Sequence, residues 1–172
     1  AGGPLIISSM LVMSCTTSSA ISLEGKNLWI LKSLPINMRQ IANSKIAVNL
    51  TILLPTTIIS AVVLSLKTDQ SYLGLLLLFI TPISYAFFIA VLGLTINLKH
   101  PNFTWHTEAV VVKQSISAMS TVMIGFMSIL LPVIAAFFIW PAYSEYIILG
   151  STIVIAIITQ LLYLFMNRVL DY

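Results

Sequence analysis

Hydrophobic and polar positions along this chain separate on a long scale rather than alternating residue by residue. Five nearly uncharged stretches, at about residues 4–22, 46–66, 72–96, 116–139 and 146–166, are divided by shorter polar segments. A helix rises about 1.5 Å per residue, so each stretch is long enough to cross the roughly 30 Å hydrocarbon layer of a bilayer. Helices satisfy their own backbone in lipid, and the alternating segments of about ten residues that mark a membrane barrel are missing. The pattern therefore predicts an all-α fold: a polytopic transmembrane helix bundle with about five spans, forming one transmembrane domain over residues 1–172.

Composition agrees. Of 172 residues, 59% are hydrophobic and 8% charged, and the mean hydropathy is +1.05. Soluble domains carry about 25% charged residues, so water cannot be the main solvent of this surface. Five spans of about 20 residues nearly exhaust the chain and leave no room for a soluble catalytic domain. The single cysteine, Cys15, excludes an internal disulfide. The opening Ala-Gly-Gly-Pro lacks an initiator Met and a basic segment, so it is not a signal peptide. The chain is expected to continue upstream of this start.

Charge sets an orientation. Lys26, Lys32, Arg39 and Lys45 lie between the first and second stretches, Lys99 and Lys113 between the third and fourth, and Arg168 after the fifth; only Lys67 lies in an alternate loop. The positive-inside rule then places 23–45, 98–115 and 167–172 in the cytoplasm, with 67–71 and 140–145 outside. The N-terminus of the chain is expected outside and the C-terminus inside. Trp140 and Tyr143 would lie at the outer interface, Trp29 and Trp105 at the inner one.

Polar residues within the spans offer two readings. The first span holds the run Ser14-Cys15-Thr16-Thr17-Ser18-Ser19, Asn49 and Asn97 lie near span ends, and Pro55, Pro82 and Pro132 fall inside the second, third and fourth spans. Small and hydroxylated residues serve ordinary helix packing, or they line a flexible translocation path. Composition does not separate the two.

Glu24, Asp69, Glu108, Glu145 and Asp171 all lie outside the span centres, where ion-coupled transporters carry charged residues. The chain also has no phosphate-binding loop of the Gly-x-x-x-x-Gly-Lys-Ser/Thr type. Active transport would thus draw its energy from a partner. His100 and His106 share a loop with Glu108 but lack ligand spacing, and the serines lack a nucleophile elbow. Metal binding and hydrolysis are not indicated, nor is nucleic-acid binding with so few cations.

The two longer cytoplasmic loops each predict an interfacial helix. In 23–40, Leu23, Ile30, Leu31 and Leu34 gather on one arc, Gly25, Lys26, Lys32 and Ser33 on the other, and Pro35 ends the element. Trp29 falls among the polar residues, where it either anchors in the head-group layer or docks into a partner. In 98–114, Trp105, Ala109, Val112 and Ile116 share a face, Thr104 is a candidate N-cap, Glu108 lies in the first turn and Lys113 opposes them.

The segment 23–36, LEGKNLWILKSLPI, closely resembles a loop in the membrane subunits of bacterial ABC exporters, particularly large permeases of Gram-positive bacteria. Asn97-Leu98-Lys99, Pro101, Trp105, Glu108 and Val111 to Gln114 are similar to that family's later cytoplasmic loop. The resemblance implies a bacterial cytoplasmic-membrane permease, the C-terminal portion of a longer chain. It implies pairing with a separate ABC ATPase subunit that binds ATP and Mg, and a dimer or a second half-permease. This chain would not itself be an enzyme and would carry no cofactor. Glu24, Gly25, Lys26, Trp29, Lys32, Ser33, Leu34 and Pro35 would form the ATPase-facing coupling loop, with Trp105, Glu108 and Lys113 in the second cytoplasmic loop. An ion-coupled secondary transporter and a non-transporting membrane scaffold or sensor are the alternatives. Neither the substrate nor the oligomeric state is legible.

Overall fold

A computed structural model of the chain describes residues 2–25, 33, 37–67, 71–103, 112, 115–139 and 141–170. Among the described residues the regular structure is all helical, with no strand, and five segments are long and apolar enough to span a membrane. Helices α1 (Gly3–Met13) and α2 (Ala20–Glu24) share the first span. They are followed by α3 (Met38–Ser65), α4 (Tyr72–Lys99), α5 (Ile116–Ile134) and α6 (Ser144–Leu170). A π turn, Ala135–Ile139, and a 3-10 turn, Pro141–Tyr143, join the last two.

The apolar stretches locate the spans, but the helices outrun them. α3 begins at Met38 rather than near 46, so Arg39 and Lys45 stand on the helix and not in a loop. α4 continues to Lys99, and α6 carries Arg168 in its last turn. A helix of 28 residues is about 42 Å long, close to the roughly 40–45 Å of a bilayer with its head groups. Long cationic side chains on such ends keep their charge in the polar layer. The two interfacial helices expected in the longer loops lie outside the described residues.

The first span departs most from expectation. It is expected as one helix over 4–22, but it breaks at Ser14, passes through a 3-10 turn at Thr17–Ser19 and resumes as α2. The cause is local. Ser14 Oγ bonds the Met10 carbonyl (3.3 Å), Ser18 Oγ the Cys15 carbonyl (3.2 Å) and Ser19 Oγ the Thr16 carbonyl (3.4 Å). Such bonds compete with the helical ladder. α1 has 11 residues, or about 16 Å, so the break falls near the middle of the hydrocarbon layer.

α4 is the centre of the bundle. Sixty-one percent of its apolar window is buried, against 17% for α6, and α1, α3, α5 and α6 all pack on it. Leu5 and Val12 of α1, Tyr85, Phe88 and Ile89 of α4, Ile129 of α5 and Ile148 of α6 form the main core. Close approach needs small residues at two crossings. A Cβ on Gly125 would lie 2.7 Å from Val12 Cγ1, and one on Gly93 would lie 2.7 Å from Cys15 Sγ.

The three span prolines stay within their helices. Pro132 deprives the Ser128 carbonyl of its amide donor. Tyr85 Oη supplies the replacement, donating to Ser128 O at 3.0 Å. Thr81 and Thr152 hydroxyls, 2.9 Å apart, link α4 to α6 one turn nearer the start of α4.

Candidate functional site

One cluster of the polar span residues forms at the end of the bundle that carries the basic loops. Asn97, in the last turn of α4, is fully buried. Its Oδ1 accepts the Ile21 and Ser22 amides (2.8 and 3.1 Å), and its Nδ2 donates to Ser22 Oγ (2.8 Å) and Ser117 Oγ (3.0 Å). The first amides of a helix have no partner within it. A side chain 76 positions away therefore caps the start of α2. All four hydrogen-bonding positions of this amide are used.

The clasp extends on both sides. Ser117 Oγ donates to the Ser18 carbonyl (2.7 Å), and Ser22 Oγ accepts the Asn102 amide (3.0 Å). Ser115 Oγ caps α5 through the Ala118 amide (3.1 Å). The broken first span, the end of α4 and the start of α5 are thereby tied at one level.

A second tie lies at the break. Asn49 Oδ1 accepts both the Thr16 amide (3.0 Å) and Thr16 Oγ1 (2.8 Å). The Thr16 N–H can only donate, which fixes the oxygen of Asn49 toward it. Among the described residues, the buried Asn49 Nδ2 has no hydrogen-bond partner. Asn49 is not near a span end, as its sequence position suggests. The helix begins at Met38 and runs to Ser65, so it sits well inside.

Below the clasp the chain enters the first loop through Glu24 and Gly25. Glu24 pairs with Lys45 of α3, the two side chains being 26% and 28% exposed. Gly25 ends α2 at φ 47°, ψ −120°, a conformation that side-chain-bearing residues avoid. The Glu-Gly pair of the motif thus has a local role: an acid that anchors to α3, then a turn that only glycine enters freely. Ser33 is exposed. Lys26, Trp29, Lys32, Leu34 and Pro35 lie outside the described residues, as do Trp105, Glu108 and Lys113 of the second loop.

Comparison with known families bears on this arrangement. A family model described as "membrane protein of 12 TMs" matches residues 2–167, nearly the whole chain. The chain belongs to that family. Membership and the five helices make it a multi-pass membrane protein. No curated protein and no solved structure matches it. For this family member, the residues that sequence reasoning underrated are Thr16, Ser22, Asn49, Asn97 and Ser117. The signal was visible as amides and hydroxyls in lipid-spanning stretches, but nothing in their spacing indicated which would meet.

Proposed function

We propose that this chain is a membrane-spanning permease component of an ATP-driven exporter of the ABC type, energised by a separate ATPase subunit. The observation that carries the reading is the anchoring of the first basic loop. Its root, Glu24-Gly25, is fixed to α3 through Lys45 and stands one turn from the Asn97 clasp, which reaches α4 and α5. A push on residues 26–36 enters the bundle at a point bonded to three spans. A coupling loop requires that geometry, whereas a simple lipid anchor does not. The resemblance of 23–36 to exporter coupling loops and the lack of a phosphate loop in the chain support the same reading.

In this reading Trp29 and Lys32 face the ATPase. The break in the first span and the prolines let the spans respond, and a second half-permease or a second copy completes the path. The membrane is the bacterial cytoplasmic one, with the basic loops inside.

The test replaces Trp29 or Lys32 by Ala in the complete transporter, reconstituted with its ATPase. Both variants should insert normally and hydrolyse ATP, yet lose substrate movement. Unchanged coupling in both, or transport driven by a pH or sodium gradient without ATP, would overturn the proposal.

A further inference from the structure

The break in the first span opens onto the outside of the bundle. Met13 is 72% exposed, and Ser14 and Thr16 are exposed beside it. Irregular backbone at membrane depth is tolerated where protein buries it or where it lines a water-filled cavity, and not against lipid. The five helices leave this backbone uncovered. A groove of about 280 Å³ runs from it between α1 and α3.

Hydroxyls interrupt the apolar walls of this groove. Met10 and Ser14 of α1 line it with Leu53, Thr56, Thr57 and Ser60 of α3. From Leu53 to Ser60 is two turns, or about 10 Å of helix. The groove therefore leads from the break toward the Gly3 end of α1 and the Ser65 end of α3, away from the basic loops. At its inner end the Thr16–Asn49 tie crosses to α3, one turn beyond Leu53.

The hydroxyls turn their protons inward. Ser14 Oγ donates to the Met10 carbonyl (3.3 Å), and Thr56 Oγ1 and Thr57 Oγ1 both donate to the Leu53 carbonyl (2.8 and 2.6 Å). A hydroxyl has one proton and two lone pairs, so what these three have left to offer is acceptor capacity. Among the described residues no charged side chain lines the groove. At the tie, the buried Asn49 Nδ2 is a donor with no partner among the described residues. Buried donors in native proteins are satisfied by protein or by ordered water.

We infer that the α1–α3 groove is a water-filled wall of the translocation path, open away from the basic loops and closed at the Thr16–Asn49 tie. It suits uncharged solutes that carry N–H or O–H donors beside apolar groups, and it disfavours anions. A covering span would have its own amides engaged within its helix and would leave these acceptors unmet. That the groove is a path rests on the permease reading; that water fills it stands on the exposed break.

The test looks for water in the full protein in lipid nanodiscs, without ATP or an ATPase. Hydroxyl radicals generated in water should oxidise Met10 at least about tenfold faster than Met123 and Met127, which are similarly exposed on α5. In a Cys15→Ser background, Ser14→Cys, Thr56→Cys and Ser60→Cys should react with a membrane-impermeant cationic thiosulfonate. A thiol reacts as its thiolate, and that charged form needs water. Leu161→Cys, exposed on α6, should stay unreactive. An anionic thiosulfonate should lag behind the cationic one by about fivefold more at Ser60→Cys than at Tyr72→Cys, outside the groove. An equal lag overturns the substrate class. Equal oxidation of Met10 and Met123, fast or slow, overturns the water-filled groove and leaves ATP coupling through Trp29 and Lys32 untouched. A wet groove in a protein driven by an ion gradient overturns the coupling and leaves the groove. The radical measurement on the unmodified protein decides this even if no cysteine variant folds.

Discussion

Tyr85 donates its hydroxyl proton to the backbone oxygen of Ser128 at 3.0 Å, the carbonyl left without an amide by Pro132. A proline in one span and a tyrosine in another thus form a single unit. Orphaned backbone groups in lipid are costly, so Pro132 is tolerated within α5 because α4 presents a donor there. Tyr85→Phe should therefore destabilise the protein by about 1–2 kcal/mol. In a Pro132→Ala background, where residue 132 regains its amide, the same change should cost almost nothing. Thermal unfolding of the four proteins of this cycle in detergent measures the coupling. An equal cost in both backgrounds would remove the link.

Asn97 makes four bonds within the clasp. At roughly 0.6 kcal/mol per intramembrane hydrogen bond, Asn97→Ala should cost about 2 kcal/mol or more. Thr51→Ala removes an exposed hydroxyl bonded only to its own helix and should change stability by less than about 0.5 kcal/mol. Denaturant titration of both variants compares them. If Asn97→Ala is as mild as Thr51→Ala, the clasp contributes nothing.

Two glycines should respond with opposite signs. A Cβ on Gly93 would meet Cys15 Sγ at 2.7 Å, Thr17 Oγ1 at 2.8 Å and the Ser18 amide nitrogen at 3.0 Å. Gly93→Ala should lose about 1–3 kcal/mol through overpacking. At Gly150 a Cβ meets nothing within 4 Å, and Gly150→Ala should gain up to about 1 kcal/mol from helix propensity. Melting temperatures of the two variants should move apart; a shared direction contradicts the packing at the helix break.

Gly25→Ala should cost about 1–3 kcal/mol, because φ 47°, ψ −120° strains any side chain. Asparagine often replaces glycine at left-handed helix caps, but those need a positive ψ. Gly25→Asn should therefore fail to rescue, and its unfolding midpoint should match that of the Ala variant. A wild-type midpoint for Asn would mean that the turn is an ordinary left-handed cap.

Glu24 and Lys45 should couple by about 0.5–1 kcal/mol, as expected for a partly exposed pair, with the coupling shrinking in high salt. The double-mutant cycle Glu24→Gln, Lys45→Gln measures it. The charge-reversed double variant should recover most of the loss. Additive single effects would detach the loop root from α3.

The five-helix membrane architecture was determined by the sequence alone, because lipid imposes length and composition on each span before any tertiary contact forms. Charge supplied an expectation of orientation, and the Glu24-Gly25 motif marked the loop root. Helix ends were less legible, since hydropathy follows the hydrocarbon layer while α3 and α6 extend through the head groups. The break at Ser14 was written in its run of hydroxyls, but the same residues also suit an unbroken packed helix. What stabilises the break depends on Asn49 and Asn97, and their partners lie 33 and 76 positions away. Only the packing of α1, α3 and α5 around α4 decided which amide met which backbone group, because hydrogen bonding between spans follows spatial proximity and leaves no periodicity in the chain.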